Sequence, residues 1–302
     1  MNTPANTYPE TRSVASAPGL NDFVELTKPR LSMMSVATAV LGYYAAGPQV
    51  SLTTFIGLIF GTSLAAFGAA ALNQWWEREA DARMDRTAAR PLASGKLSAS
   101  SALIFGLGIS FAGVWALWEF TGFWPAALAA LTILLYVLAY TPLKMKTPLA
   151  TEMGAIPGAL PPLIGWTAAG AGFSAMGWAL FAVLFAWQIP HFMAISWNFR
   201  DDYKKAGFEM LAVRDKSGKR VARNALIWSV ILVGVSFYPI VESNVGWFLG
   251  ICACLLGSCM LITSVQFLWG KERDLAARQL FFVTLFYLPL YLVALIVDQF
   301  LV

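Results

Sequence analysis

Four oxygen-bearing side chains recur at every fourth position of one polar stretch, NQWWEREADARMDRT: Asn73, Glu77, Asp81 and Asp85. At about 100° per residue, each step of four drifts only about 40° around a helix, so the spacing predicts a single stripe. Carboxylates stacked this way repel one another by roughly a few tenths of a kcal/mol per exposed pair. A bound divalent cation would reverse that sign. Mg²⁺ suits the stripe, because it takes oxygen ligands octahedrally and is typically held by one or two carboxylates plus substrate phosphates. In the competing reading there is no metal, and the acids pair with Arg78, Arg83 and Arg86 on a solvated helix end.

The neighbours favour a phosphate chemistry. Arg86, Thr87, Arg90 and Lys96 follow the stripe, and Lys144 and Lys146 lie further on. Metal-holding acids beside bases suited to phosphate oxygens, at a membrane edge, point to a lipid diphosphate. A second candidate stands alone. His191, in WQIPHF, is the single histidine and lies within an apolar run, where a polar group is expensive and functional by default. Its bland reading is a histidine satisfied by Gln188 or a backbone carbonyl. The three cysteines, Cys252, Cys254 and Cys259, share one apolar run without metal-like spacing and read as small core residues. Glu152 receives no role from the sequence.

The elements that must position these groups are membrane helices. The chain is 58% hydrophobic and only 13% charged. That is more apolar surface than a soluble globule could bury. The predicted crossings are 31–46, 52–72, 102–118, 123–140, 153–169, 173–197, 225–241, 245–269 and 280–297, nine in all. Threaded so, all 21 Lys and Arg fall in the N-terminal segment or in alternate loops, which predicts the N-terminus in the cytoplasm and the C-terminus in the periplasm. The net charge of +4 then belongs to orientation, not to nucleic acid. Basic residues Arg214, Lys216, Lys219, Arg220 and Arg223 read as part of that signal. Residues 1–20 read as a flexible cytoplasmic tail with neither signal-peptide nor transit-peptide character. This favours a bacterial inner membrane, with 21–302 as one domain. The small residues of GTSLAAFGAAAL (61–72) predict close helix packing.

Several strings resemble one family: LTKPR (26–30), RTAARPLASG (86–95), YTPLK (140–144), GAIPGALPPLIGW (154–166), WQIPHF (187–192) and DYKKAGFEML (202–211). They are similar to the haem branch of the intramembrane aromatic prenyltransferase superfamily. The resemblance covers residues 22–300 and implies an all-α polytopic membrane protein, a bundle of nine transmembrane helices around a central cavity open to the cytoplasmic side. It implies Mg²⁺-assisted transfer of farnesyl from farnesyl diphosphate to a vinyl group of haem b, giving haem O, with haem A synthase or terminal-oxidase assembly factors as partners. By resemblance, Asn73, Glu77, Asp81 and Lys144 are catalytic, and Glu77, Asp81 and Asp85 hold the metal. Arg86, Arg90, Gln188, His191, Asp202 and Tyr203 bind substrates, His191 through haem iron or a hydrogen bond to the porphyrin. The chain departs from the wider superfamily in having Asn73, Gln74 and Glu77 where other branches show Asn-Asp. It also carries Asp201 and Asp202 late, after WQIPHF. Another aromatic or tetrapyrrole acceptor, and a secondary transporter, are the competing functions; against transport, the ionisable residues cluster on one face instead of at the midplane.

Overall fold

The computed structural model describes residues 19–47, 51–242, 246–298 and 301. The expected tail therefore lies outside the described residues, except for Gly19 and Leu20.

The chain opens with α1 (Leu20–Leu26). It breaks at Lys28, the one non-glycine residue with positive φ among those described (φ 47°, ψ 57°). A residue before proline is kept out of the right-handed helical region, so the helix cannot run through. Instead α2 (Pro29–Ala45) begins afresh, with proline in its first turn. After α2, α3 (Leu52–Asp81) starts from a Ser51 side-chain cap and continues for 30 residues. That is about 45 Å of helix against about 30 Å of hydrocarbon. Its last turns must therefore stand at or beyond the membrane edge, where the polar stripe sits.

Glycine sets how closely α3 meets α4 (Ala99–Thr121): a methyl at Gly61 would collide with Leu117, and one at Gly68 with Ser110. Small residues let membrane helices approach where no hydrophobic drive exists between them. Next, α5 (Phe123–Leu134) passes through a π-helical turn, Leu135–Tyr140, into α6 (Thr141–Leu143). The Thr141 hydroxyl donates to the Tyr136 carbonyl at 2.8 Å, filling an acceptor within the widened turn.

The kinked span expected around 153–169 is α7 (Ala150–Ala168). It stays helical through Pro157, Pro161 and Pro162 and is buried along most of its length, where neighbours re-satisfy freed backbone groups. It lies against α2 and α5 and against α8 (Ala175–Asn198). Gly165 presses on the Ala39 carbonyl of α2 so closely that a Cβ would overlap it.

Beyond α8 the polar segment folds into α9 (Arg200–Ala206) and α10 (Leu211–Arg214). Asp215 then accepts the N–H groups of Arg220 (2.6 Å) and Val221 (3.1 Å) and starts α11 (Lys219–Ser236). A short α12 (Tyr238–Glu242), then α13 (Trp247–Trp269) and α14 (Arg273–Asp298), complete the chain, with α8 packed on both α11 and α14.

Among the described residues, seven helical stretches are long and apolar enough to cross a membrane: Leu52–Asp81, Ala99–Thr121, Phe123–Leu143, Ala175–Asn198, Lys219–Glu242, Trp247–Trp269 and Arg273–Asp298. Their outer faces expose Phe60, Ile104, Phe111, Leu255 and Phe286, as lipid-facing helices do. The fold is all-α and multi-pass. The cysteines correct an expectation in part: Cys254 and Cys259 are exposed on α13 and face outward, whereas Cys252 is partly buried and packs against the core.

Candidate functional site

The C-terminal turns of α3 carry the site. Asn73, Glu77 and Asp81 lie on one buried stripe, 1%, 7% and 2% exposed. The helix ends at Asp81, where the Thr87 hydroxyl donates to the Asp81 carbonyl at 2.8 Å and folds the next segment back. Asp85 therefore does not extend the stripe. Its carboxylate is exposed and accepts from Lys205 of α9 at 2.6 Å.

The arginines expected to neutralise the acids locally do otherwise. Arg78 donates to Glu79 and to the Trp75 carbonyl, Arg83 donates to the Glu79 carbonyl, and Arg86 lies over the Phe199 ring. Instead the partners are distant in sequence. Lys144, just after α6, donates to Glu77 at 2.7 Å, and Arg90 donates to Asp81 at 2.7 Å. Sequence reasoning missed a third cation: Lys28 Nζ reaches Asn73 Oδ1 at 3.0 Å. The left-handed backbone of Lys28 turns this side chain over α3. Such a conformation costs ~1–3 kcal/mol outside glycine. The readable signal was a lysine immediately before proline at the mouth of an apolar run.

Supporting contacts fix these groups. Asn73 Nδ2 donates to the Thr141 hydroxyl at 3.1 Å, just beyond the π turn, so its oxygen is left for Lys28. Gln74 donates to the Leu26 carbonyl at 2.6 Å and ties α1 to α3. Lys144 lies over the Tyr140 ring, and its carbonyl accepts the Glu209 N–H at 2.9 Å, joining the end of α6 to the segment ahead of α10. Tyr203 packs edge-on to Phe208 within a cluster that includes Ala80 and Met84, beneath the end of α3. Asp202 lies near Lys205, at 4.0 Å, and not on the stripe.

Electrostatics distinguish two of the cations. Burial, with Arg90 close by, lowers the Lys28 ammonium to about 8. Burial also pulls on Lys144, but the Glu77 carboxylate more than offsets it and holds Lys144 well above the usual lysine range. Two acids facing three cations leave one positive charge in excess, an arrangement that attracts a polyanion.

Among the described residues no group of three or more His, Cys, Asp or Glu side chains could hold a metal by itself. Two buried carboxylates and one carboxamide oxygen do fit an ion that completes its shell with water and substrate phosphate.

The polar residues of WQIPHF divide between two neighbours. Gln188 donates to the Leu184 carbonyl of its own helix (3.1 Å) and across to the Ala155 carbonyl of α7 (3.4 Å). His191 turns to α14, with Nδ1 2.7 Å from the Thr284 hydroxyl, a partner the sequence did not suggest. Glu152 accepts from Asn224 of α11 at 2.7 Å.

The profile of the UbiA prenyltransferase family matches residues 34–286. A protohaem IX farnesyltransferase from Opitutus terrae is 46% identical over 94% of this chain and 97% of its own length. One from Solibacter usitatus is 40% identical over 93% and 99%. Among solved structures, one described as digeranylgeranylglyceryl phosphate synthase superposes with a TM-score of 0.79 at 17% identity, covering 94% of this chain and 99% of that one. A UbiA homologue from Archaeoglobus fulgidus, bound to GPP and Mg²⁺, gives 0.62 at 14% identity, over 91% and 99%.

Proposed function

This chain belongs to the UbiA prenyltransferase family, and from that premise we propose that it transfers the farnesyl group of farnesyl diphosphate to a vinyl group of haem b, making haem O. The observation that carries the reading is the buried pair of ion pairs, Glu77 with Lys144 and Asp81 with Arg90, with Lys28 on Asn73 beside them.

As the allylic carbon–oxygen bond of farnesyl diphosphate stretches, negative charge gathers on the leaving group. Lys28, Lys144 and Arg90 would stabilise it with fixed positive charge. Their shift toward phosphate oxygens frees Glu77 and Asp81, which together with the Asn73 oxygen would hold Mg²⁺. The bound ion supplies Lewis-acid stabilisation of the departing diphosphate. Arg86 is proposed to assist from the rim, where it stacks on Phe199, and Asp85, Asp202 and Tyr203 to shape the cytoplasmic mouth. Gln188 and His191 face the acceptor side, and water kept from the allylic centre cannot divert it to farnesol. That the Archaeoglobus fulgidus homologue of the same fold is bound to GPP and Mg²⁺ supports a prenyl diphosphate and a magnesium ion as ligands here.

The architecture proposed for this chemistry has nine crossings, with α2 and α7 added to the seven apolar stretches. It places the N-terminus in the cytoplasm of a bacterial inner membrane, the C-terminus in the periplasm, and the cavity open to the cytoplasmic side. Haem A synthase or an oxidase assembly factor would receive the product.

The deciding experiment incubates purified protein in lipid with farnesyl diphosphate, haem b and Mg²⁺, and follows products by mass spectrometry. Farnesylated haem and released diphosphate, both dependent on haem and on Mg²⁺, are expected. Farnesylation of another acceptor in preference to haem would overturn the reading.

A further inference from the structure

His191 and its surroundings form a small, fully specified unit. Along α8, Trp187 and His191 lie one turn apart; along α14, so do Phe281 and Thr284. The imidazole lies between two rings, stacked on Trp187 at 4.9 Å (18°) and on Phe281 at 5.3 Å (25°). The Trp187 indole N–H donates to the Thr284 carbonyl at 2.7 Å, so one residue of α14 anchors both rings of α8. Clamped on two faces and along one edge, the imidazole cannot rotate.

The hydrogen bonds also settle where its proton is. Thr284 has a single hydroxyl proton, and it goes to the Phe281 carbonyl at 2.6 Å. Thr284 can then only accept from His191, whose Nδ1 must carry the N–H. The other ring nitrogen, Nε2, is left with a lone pair and makes no hydrogen bond among the described residues. A half-buried imidazole with one fixed N–H and one free lone pair is how a metal-ligating histidine is prepared.

The surroundings restrict which metal it can serve. No second imidazole exists in the chain, and among the described residues no group of His, Cys, Asp or Glu gathers for a free ion. One nitrogen is enough only for a metal that arrives with its other ligands already in place. Trp187 and Phe281, nearly parallel to the imidazole, would present their edges to a macrocycle bound at Nε2 and keep the imidazole upright on it. We infer that Thr284 is a positioning residue that fixes the Nδ1–H tautomer of His191, so that Nε2 ligates the iron of a haem substrate from one axial side. The inference deepens the proposed function and rests on it for the identity of the acceptor.

The test titrates haem b into the purified full-length protein without prenyl diphosphate and records Soret difference spectra. The parent is expected to give the saturable spectrum of a histidine-ligated haem. His191→Ala loses it, and soluble imidazole restores it. Thr284→Val, which keeps the shape but not the acceptor, weakens haem affinity by ~10–100-fold, the usual cost of removing such an outer partner. Thr284→Ser, which keeps the hydroxyl, stays near the parent value. Farnesyl diphosphate binding, measured on each variant, shows that the bundle is intact. Identical spectra and affinities for the parent and His191→Ala, or for the parent and Thr284→Val, overturn the inference, even if farnesylated haem is still formed. A histidine-ligated spectrum that His191→Ala removes and Thr284→Val weakens, without farnesyl transfer by the parent, supports the ligation and sinks the proposed reaction alone.

Discussion

In the proposed reaction the diphosphate chemistry turns on Asp81, which is buried and paired with Arg90. Asp81→Asn keeps the shape and leaves Arg90 a neutral acceptor, so expression and melting temperature should stay close to the parent. Turnover should fall by ~100-fold or more, the scale seen when one preorganised electrostatic group is removed from a reacting site; a steady-state assay decides. Lys28 gives a prediction in pH. Its ammonium is depressed to about 8, and in the proposed reaction only the protonated form would attract the diphosphate. As pH rises through that value, kcat/KM for farnesyl diphosphate, which reports groups of the free enzyme, should therefore fall. Lys28→Arg should move that limb upward, because a guanidinium stays charged. The contrast between these residues explains what a sequence can disclose. Glu77 and Asp81 are legible because both lie on one helix, where spacing dictates direction. Lys28 and Thr284 are not, since each matters only through a partner 45 or 93 positions away, brought close by helix packing that no local pattern encodes.

Helix ends and helix contacts carry their own expectations. Asp215 starts α11 by accepting backbone N–H groups. Losing these acceptors through Asp215→Ala should cost roughly 1 kcal/mol, read as a lower melting temperature in detergent. Burial pushes the Asp215 carboxyl up, but the bonds from Ser217, Val221 and Arg220 outweigh it, so the group sits below its usual value of 3.8. That stability is present above the unfolded value and is lost as pH falls through the folded one. The gap between parent and variant should therefore close in acid. A Cβ at Gly165 would overlap α2, whereas one at Gly108 meets nothing within 4 Å. Gly165→Ala should therefore separate α2 from α7 at a cost of roughly 1–3 kcal/mol, while Gly108→Ala, with open space and a better helix former, should not lower the melting temperature. Seven of the nine expected crossings were readable from apolar runs, though their ends were not. Seven runs meet length and apolarity on their own, while α2 is short at 17 residues and α7 carries three prolines. The stripe was drawn one step too long, because helical spacing says nothing about where Thr87 turns the chain.

For the whole molecule, the decisive pattern is that the fixed cations belong to one end of the bundle. Lys28, Arg90 and Lys144 meet there, at the edge from which the long α3 protrudes. In the proposed reaction farnesyl diphosphate would dock its charged head there while its chain stays among helices, and the split diphosphate would leave by the side it entered. No charged group has to traverse the apolar slab during a cycle. Moving one elementary charge through a membrane would involve about 2.3 kcal/mol per 100 mV, so an ion-coupled carrier is accelerated or stalled by voltage. This protein should be blind to it. In sealed proteoliposomes, imposing or collapsing a potassium diffusion potential should leave the rate of farnesyl transfer unchanged, and the cell's energised state would then set neither its speed nor its direction.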